Sequence, residues 1–483
     1  MSATPGDLQA RRDARPLPFF VIPFIVSIAF LMEALDTNII TATIPMMAQA
    51  FGVAPVRLNL AITSYVVCLA IFIPISGWLS ERVGAKRLFL AAMGVFVLGS
   101  LACGLADSFA VLIAARVLQG IGGALMTPSG RLILLRSFDR SELVSAISYM
   151  TLPVLIGPLL GPVLGGLIAT YTSWRWIFLI NIPIGLVGLY VAHRWIPDVP
   201  REPGKPFDLT GFLLVAAALV ALQIGLENQI HPALPELVGW ALWAASAALL
   251  VLFGWHARGR AQAVMDVALL ALRSYRAGVV FGGINRVSLN AVPFLLQLKL
   301  QVGLGYTPLH AGLLVFIMAF GALSQKMMTG RILRALGFKR TLAANALIGG
   351  LLTFGLAEFG ADSPLIVVCA YIFAVGVVRS LQFNAINVLI YSEVPKERQS
   401  GGVALAACAQ QVSMGLGISL SAVLLSTHAP GLMPDVAAFD TAFRVMGAIA
   451  FIALGGFLFM KPEDGMEASG HHPKNHRPPG DLK

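Results

Sequence analysis

The chain has 483 residues, of which 57% are hydrophobic and only 12% are charged, and its mean hydropathy is +0.80. Soluble proteins carry roughly a quarter charged residues, so this composition excludes the water-soluble classes and predicts a polytopic membrane protein. The net charge of +10 requires no nucleic-acid partner, because the basic residues cluster in short loops between apolar runs.

The apolar runs predict fourteen membrane-spanning helices and therefore an all-α fold. Most runs reach about 20 residues, the length that crosses about 30 Å of hydrocarbon, and none shows the alternation of a strand. No small-residue cleavage site follows Arg11, Arg12 and Arg15, so we expect the first helix to be retained rather than removed as a signal peptide. The predicted spans are 18–48, 56–79, 87–106, 109–134, 142–170, 175–195, 208–227, 236–256, 275–300, 308–330, 340–360, 364–391, 401–427 and 438–460.

Basic residues fall in alternate loops, which predicts that both termini are cytoplasmic. The basic loops carry Arg82, Lys86, Arg87, Arg131, Arg136, Arg140, Arg194, Arg201, Lys205, Arg258, Arg260, Lys339, Arg340, Lys396, Arg398 and Lys461. The opposite loops carry mainly acidic residues, namely Asp107, Glu227, Glu236, Asp362, Asp435 and Asp440. Three basic residues are exceptions to this pattern: Arg57, Arg175 and Lys299.

The cysteines and the tail histidines are the candidate metal ligands of the sequence, and neither group is predicted to bind metal. Each cysteine lies in an apolar run without a CxxC pair, which favours small buried hydrophobic side chains over disulfides or metal ligands: Cys68, Cys103, Cys369 and Cys408. The tail after Pro462 contains His471, His472 and His476, but its proline-rich polar composition favours disorder over a metal site. We expect no metal and no cofactor.

An internal repeat predicts two related halves. The loop from Gly77 to Arg87 and the loop from Gly330 to Arg340 share two glycines and a closing Lys-Arg without a gap. The predicted organisation is a cytoplasmic tail (1–16), a six-helix bundle (17–196), a two-helix insert (207–257), a second six-helix bundle (266–461) and a disordered cytoplasmic tail (462–483). Parallel halves of this kind are typical of secondary transporters with a site at mid-membrane.

The first helix carries two acids one turn apart, Glu33 and Asp36, inside an apolar run. An ionised carboxylate in hydrocarbon costs several kcal/mol, so such a group needs a polar cavity, a partner or a change of protonation. Arg116 lies well inside the fourth helix and also requires a carboxylate or cavity water.

These features resemble the major facilitator superfamily, and within it the fourteen-helix drug:proton antiporters of the EmrB/QacA type. The loop Gly77–Arg87 is similar to motif A, with Glu81 in place of the usual Asp; Arg116, Gln119 and Gly120 resemble motif B. The run Leu35 to Pro45 resembles the first-helix motif, with Asn38 and Thr41 exchanged relative to its usual Thr and Asn. Further matches are the sixth-helix signature Trp174–Gly185 and motif C, formed by Gly157, Pro158, Gly161, Pro162, Gly165 and Gly166.

Motifs A and C have a structural and a functional interpretation. In motif A, Gly84 permits a tight turn, and Glu81 with Arg82 and Arg87 forms either a latch between helix ends or ordinary positive loop chemistry. In motif C, the glycines and prolines permit bending and close helix approach, and we expect this packing to seal one gate.

In the superfamily arrangement, the first and fourth helices of each half line the cavity. The resemblance therefore places five charged residues around one space: Glu33, Asp36, Arg116, Arg286 and Arg379. The two C-terminal arginines either form ion pairs across the halves or bind an anionic group of the substrate, with Asn285, Gln382 and Asn387 as neighbours. Aromatics such as Phe294 and Phe383 either stack on substrate or pack in the core and against lipid.

The resemblance implies a non-enzymatic exporter of amphipathic organic compounds in the bacterial inner membrane, driven by inward proton flow. Asp36 is the expected proton carrier, with Glu33 as partner and Arg116 tuning both. Two alternatives remain: a proton-coupled transporter of a specific organic anion, and a membrane receptor or scaffold, which no large soluble domain supports. The predicted partners are a small-molecule substrate, protons and lipid; a periplasmic adaptor and an outer-membrane channel stay open.

Overall fold

The computed structural model describes residues 18–138, 149–150, 156–198, 206–260, 263–325, 328–360, 362–395, 398–427, 434–469 and 471. These residues form helices and no strand, which confirms the predicted all-α class. The spans, in chain order α1 to α14, are Val21–Phe51, Pro55–Val83, Ala85–Gly104, Phe109–Ser137, Ile156–Tyr171, Trp176–Trp195, Leu209–Ile230, Glu236–Ala257, Arg273–Gly303, Pro308–Gln325, Thr329–Glu358, Leu365–Tyr391, Gln399–Thr427 and Val436–Leu458.

Thirteen of these helices are long and apolar enough to cross a membrane within the described ranges. The remaining one, α5, is described only from Ile156, whereas its predicted span begins at residue 142. Several spans are not uniform α-helices: a 3-10 turn, Ile40–Thr43, interrupts α1, and π-helical turns, Ala277–Phe281 and Lys299–Gly303, lie in α9.

Helix packing repeats between the halves. In the first half, α1 packs against α5 and α6, α2 against α4, and α3 against α4 and α6. The second half has the equivalent contacts: α9 against α13 and α14, α10 against α12, and α11 against α12 and α14. The halves meet through α5 with α10 and through α2 with α13, a pair of contacts that the same symmetry relates.

The repeated loop has the same backbone geometry in both copies. Gly84 between α2 and α3 has φ of 101°, and Gly337 within α11 has φ of 71°. Both values lie in the region that a side chain disfavours, so the turn needs glycine at the matching position of each repeat. The second copy begins a helix at Thr329, earlier than the predicted start of span 340–360, and Gly337 divides that helix.

The insert lies beside the two halves. Helices α7 and α8 pack on each other, and α7 also contacts α2 and α13. Gln223 of α7 donates a hydrogen bond to Thr63 of α2 at 2.9 Å. Helix α8 is the least buried span among the described helices, since only 17% of its most apolar stretch is buried inside the protein. The insert is therefore peripheral.

The end of the chain is partly ordered, unlike the predicted disordered tail. Residues 462–465 form turns, and a short helix, Met466–Ser469, follows and packs against α11. Gly465 N donates to Glu393 at 2.8 Å, and the Nδ1 atom of His471 lies 2.9 Å from the carbonyl oxygen of Arg334. The other tail histidines, His472 and His476, and the N-terminal tail 1–16 lie outside the described residues.

Successive spans run in opposite directions, so the bundle has two ends. We call the end with the α1–α2 loop the Gly52 end and the end with the α2–α3 loop the Gly84 end. The Gly84 end also carries Gly337 and the loop that enters the insert at Asp208.

Candidate functional site

A buried charged pair lies in the first half. The Nη1 atom of Arg116 on α4 donates to Asp36 Oδ2 on α1 at 2.5 Å, and neither side chain is exposed to solvent. The Nε atom of Arg116 donates to the carbonyl oxygen of Ala61 on α2 at 2.7 Å. Of the two partners that the sequence left open for Arg116, a carboxylate or cavity water, the structure shows the carboxylate of Asp36, and the contacts of Arg116 join three helices of one half.

Amide side chains complete this network. Gln119 Nε2 donates to Asp36 Oδ1 and to Ser100 Oγ, both at 2.8 Å, and Gln119 Oε1 accepts from Arg116 Nη1 at 2.6 Å. Asn181 of α6 donates to Asp36 Oδ1 at 3.4 Å. Gln119 belongs to motif B and Asn181 lies within the sixth-helix signature Trp174–Gly185, but neither was predicted to contact Asp36. The available signal was an uncharged amide within an apolar span, which requires a buried partner.

Aromatic rings enclose the arginine of this pair. The guanidinium carbon of Arg116 lies 4.3 Å from the centroid of Tyr65 and 5.8 Å from that of Phe178. A cation over an aromatic face is stabilised by the ring quadrupole, more so where water is excluded. The arrangement fixes the positions of Asp36 and Arg116.

Glu33 has a different environment from Asp36, although it lies one turn away on the same helix. The hydroxyl of Thr127 on α4 donates to Glu33 Oε2, and the Glu33 side chain is half-buried. Within the described residues, no ion pair involves Glu33. One acid thus has a buried cationic partner, and the other has a neutral hydroxyl.

A cavity of about 340 Å³ lies between the halves. Helices α1, α2 and α5 line it from the first half, and α9, α10, α12 and α13 line it from the second. Its described lining contains two charged residues, Arg286 and Arg379, and no acid. The polar uncharged lining residues are Thr37, Asn38, Thr41, Asn290, Ser380 and Asn384.

The two cavity arginines have few partners. Arg286 is 2% exposed, donates from Nη2 to Asn387 Oδ1 at 2.6 Å, and has no hydrogen-bond partner at Nε. Its guanidinium carbon lies 5.4 Å from the centroid of Phe383. Arg379 also lines the cavity, and the described residues provide it with no hydrogen bond or ion pair.

Three residues predicted near the substrate lie behind the cavity wall. Gln382 is buried and accepts from Asn345 at 2.9 Å, so it joins α12 to α11. Asn387 holds Arg286, as described above, and does not line the cavity. Asn285 is 1% exposed and its Oδ1 atom has no partner in the described structure.

The single space expected around all five charged residues is divided into two regions. Arg286 and Arg379 line the central cavity, whereas Glu33, Asp36 and Arg116 do not. Helix α1 separates the regions, because Asp36 points into the first half while Asn38 and Thr41 face the cavity. The predicted single charged space is therefore wrong, and the orientation of α1 is the physical reason.

Motif C brings α5 against two helices. A Cβ atom at Gly157 or Gly161 would lie 2.5 Å from Ala34 Cβ or 2.8 Å from Asn38 Cβ, so these glycines permit close packing on α1. Gly165 has a similar approach to Ile39 O at 2.5 Å. One residue further, Gly166 faces α10 of the other half, where a Cβ atom would lie 2.6 Å from Pro308 O.

The Gly52 end is closed between the halves. Besides the α5–α10 contact at Gly166, Gln301 of α9 donates to the carbonyl oxygen of Ala42 on α1 at 3.2 Å. The prolines of motif C, Pro158 and Pro162, line the cavity itself. Motif C therefore lies between the cavity and the closed end.

Motif A forms a tight turn at the Gly84 end. The guanidinium carbon of Arg82 lies 5.2 Å from the ring centroid of Trp78. Among the described residues, no ion pair links Glu81 to Arg82 or Arg87, so the predicted charge cluster is not formed in this conformation. Gly77 has open space around its Cβ position.

The fold and the site together define a class of protein: an all-helical secondary transporter with two related six-helix halves and a cavity between them. The family model of the Major Facilitator Superfamily matches residues 26–284 and 277–483. The chain therefore belongs to the Major Facilitator Superfamily.

Curated relatives agree with this assignment. The chain is 38% identical over 405 residues to the putative multidrug resistance protein MdtD of Cronobacter sakazakii, covering 83% of this chain and 85% of that protein. It is 35% identical to a protein described in the same words from Klebsiella pneumoniae, covering 91% of this chain and 94% of the relative. These similarities confirm the predicted branch of drug:proton antiporters.

Solved structures share the fold at low sequence identity. The POT family transporter PepTSo matches with a TM-score of 0.68 and 14% identity, covering 92% of this chain and 97% of that chain. A D-xylose-proton symporter matches with a TM-score of 0.64 and 16% identity, covering 92% and 99%. At these identities the likeness concerns the fold alone.

Proposed function

We propose that this protein is a proton-coupled exporter of amphipathic organic compounds that works by alternating access. The observation that carries the proposal is the cavity between the halves, closed at the Gly52 end, with two acids on the helix that forms part of its wall. The relatives described as putative multidrug resistance proteins support export as the direction. The proton gradient is the proposed energy source, with about 2.3 kcal/mol per charge per 100 mV of membrane potential.

The proposed orientation places the Gly84 end in the cytoplasm of a bacterial cell, with the protein in the inner membrane. The basic loop residues support this orientation through the positive-inside rule. The exception at Lys299 has a local explanation, because Lys299 is 2% exposed and pairs with Asp440 at 2.7 Å. In this orientation the closed end faces the periplasm.

Glu33 is the proposed proton carrier, although the sequence favoured Asp36. Both oxygens of Asp36 accept hydrogen bonds, one of them from the Arg116 cation, so this carboxyl already has fixed partners. Glu33 has a hydroxyl partner that can serve the neutral and the ionised acid alike. A carboxyl that must gain and lose a proton needs such an environment.

Helix α1 is the proposed link between proton and substrate. It carries Glu33 and Asp36 toward the first half and Thr37, Asn38 and Thr41 toward the cavity. A change of charge at Glu33 alters the packing of α1 on α4, while substrate contacts Thr37, Asn38 and Thr41 of the same helix. Release to the periplasm then requires separation of α5 from α10. The proposal needs no enzyme activity, cofactor, adaptor or outer-membrane channel.

The proposal is tested by transport in proteoliposomes with an imposed pH gradient. The probes are a cationic dye, a neutral drug and an aromatic carboxylate, and the variants are Glu33→Gln and Asp36→Asn beside the wild type. We expect gradient-driven movement of at least one probe in the wild type and its loss in Glu33→Gln, with substrate exchange at equal pH retained. Glu236→Gln, at an exposed position of α8, is the matched control.

Two results would contradict the proposal. Absence of gradient-driven movement of all three probes in the wild type removes proton-coupled export. Gradient-driven movement that survives in Glu33→Gln but disappears in Asp36→Asn returns the carrier role to Asp36 and leaves export intact.

A further inference from the structure

We propose that the compounds exported by this protein carry an anionic group, which the guanidinium groups of Arg286 and Arg379 bind in the central cavity. This inference rests on the proposed export function and adds the chemical class of its substrate. An organic carboxylate or sulfonate with an apolar body is the ligand that fits.

The described lining of the cavity carries positive charge. Among the described lining residues, Arg286 and Arg379 are the charged ones, and no carboxylate accompanies them. A cationic substrate would enter beside two like charges without a counterion, which is unfavourable in a medium of low polarity. An anionic group is attracted by both guanidinium groups.

Other cations in the interior of the described chain have internal carboxylates as partners. Arg116 has Asp36 at 2.5 Å and Lys299 has Asp440 at 2.7 Å, so each has an internal carboxylate. Arg286 and Arg379 have no such partner among the described residues. A cation inside the protein without a counterion is unfavourable unless a ligand supplies one.

Both cavity arginines have hydrogen-bond donors without a partner among the described residues. Arg286 Nε is buried without a partner, and Arg379 donates to no described residue. A guanidinium group has five N–H donors in a planar fork that matches the oxygens of a carboxylate. Asn387 Oδ1 accepts from one Arg286 nitrogen at 2.6 Å and thereby fixes the orientation of the group.

The remaining lining supports an apolar body on the ligand. Phe294, Phe383, Leu289, Met318, Met414 and Ile418 face the cavity. Its volume of about 340 Å³ lies at the lower end of the range for small-molecule sites, which suits one or two fused rings rather than a large drug. The cavity thus combines an apolar wall with two cationic donors.

The alternative explanation is that the arginines form ion pairs across the halves with the acids of α1. Asp36 is an unsuitable partner, because Arg116, Gln119 and Asn181 already occupy its oxygens. Glu33 accepts from Thr127 and, like Asp36, does not line the cavity. The geometry therefore favours an external anion.

The test is equilibrium binding to the purified full-length protein in lipid nanodiscs. The probes share one ring system and differ in charge: 2-naphthoate and 2-naphthalenesulfonate are anions, and 2-naphthamide is the neutral counterpart. Tetraphenylphosphonium is the cationic probe. We expect at least one anion to bind at least about tenfold more tightly than the amide, as charge-assisted bidentate contacts predict.

The variants are Arg286→Gln and Arg379→Gln, with Arg286→Lys as a conservative form that keeps the charge. Arg175→Gln is the matched control, because Arg175 lies at the Gly52 end over Trp174 and outside the cavity. We expect each cavity Gln variant to lose the preference for the anion, Arg286→Lys to keep part of it, and the control to keep all of it. Unchanged binding of the amide shows that the variants are folded.

The inference is overturned if neither anion binds more tightly than the amide, or if the preference survives in both Gln variants. These results are independent of the transport test. Gradient-driven movement of tetraphenylphosphonium without anion binding overturns the substrate class and leaves proton-coupled export standing. Anion binding without gradient-driven movement supports the substrate class and counts against the transport mechanism.

Discussion

Asp36 and Arg116 form a fully buried ion pair whose hydrogen bonds reach α2, α4 and α6. Removing one partner of such a pair leaves an uncompensated charge, which costs about 3–5 kcal/mol, whereas removing both costs less. The pair also separates the roles of the two acids, since Glu33 accepts from a hydroxyl only. At the scale of single residues, the two carboxyl groups of α1 differ in their neighbours: Asp36 has a buried cation, and Glu33 has a hydroxyl.

We expect Asp36→Asn and Arg116→Gln each to lower the thermal unfolding midpoint, and the double variant to lose clearly less than the sum of both shifts. Residues in direct contact couple in this way. Asp36→Asn combined with Arg286→Gln is the control, and its effects should add, because α1 separates these residues. The measurement is thermal unfolding of the purified protein in detergent. Additive effects for the first pair, or strong coupling for the second, would contradict the described network.

Individual helices have distinct tasks that follow from their small and capping residues. Helix α5 presents Gly157, Gly161 and Gly165 to α1 and Gly166 to α10. The same helix therefore packs within its own half and contacts the other half at the Gly52 end.

The start of the two-helix insert is stabilised by Asp208, the N-cap of α7. Asp208 accepts from Gly211 N at 2.9 Å and from Val264 N at 3.3 Å, and it lies 2.7 Å from His256 Nε2 of α8.

The pH response of this cap has a defined sign. Burial acts to raise the pKa of Asp208, but the hydrogen bonds from Gly211, His256 and Val264 outweigh it and lower the pKa below the ordinary value. A carboxyl with a lowered pKa in the folded state stabilises the fold above its unfolded pKa of about 3.9, and this contribution is lost as the pH falls through the lower folded value.

We therefore expect Asp208→Ala to weaken the start of α7 by about 1 kcal/mol at neutral pH, the usual size of an N-cap effect. The difference from the wild type should shrink below about pH 4. Hydrogen exchange of the first turn of α7 measures the effect. Asp198→Ala, at an exposed position, is the control. Equal exchange rates in wild type and Asp208→Ala at neutral pH would exclude the cap.

The described molecule consists of two halves and an insert. Fewer helix pairs join the two halves to each other than pack within each half. Helices α5 and α10 meet on one side and α2 and α13 on the other, related by the internal symmetry. Gln301 and Ala42 join the halves at the Gly52 end. Alternating access in this architecture is rocking of one half against the other around the central cavity.

We expect a covalent link across the Gly52 end to stop transport. The variant carries Ala42→Cys and Gln301→Cys in a background in which Cys68, Cys103, Cys369 and Cys408 are replaced, and a short bifunctional thiol reagent joins them. The matched control is Glu358→Cys with Arg444→Cys, an exposed pair 2.9 Å apart within the second half at the same end. Linking the control pair should leave transport unchanged, since each half moves as a unit. Full transport after complete linking of the first pair would contradict the rocking mechanism.

The sequence by itself determined the helices, the repeat and the family. Hydrocarbon forces the backbone to satisfy its hydrogen bonds within each span, so apolar length is enough to predict a helix. Gly84 and Gly337 were predictable for a similar reason, because their positive φ is a local property of each loop. The need of Asp36 and of Arg116 for a buried partner was predictable, whereas their pairing with each other is seen only in the structure.

Only the tertiary structure decided which face of each helix meets which neighbour. The rotation of α1 places Asp36 in the first half and Asn38 in the cavity, and this separates the acids from Arg286 and Arg379. In the same way, the rotation of α12 turns Gln382 toward α11 and places it behind the cavity wall. Helical periodicity fixes the angle between residues of one span, but the direction in which the span points depends on packing against helices that are distant in the sequence.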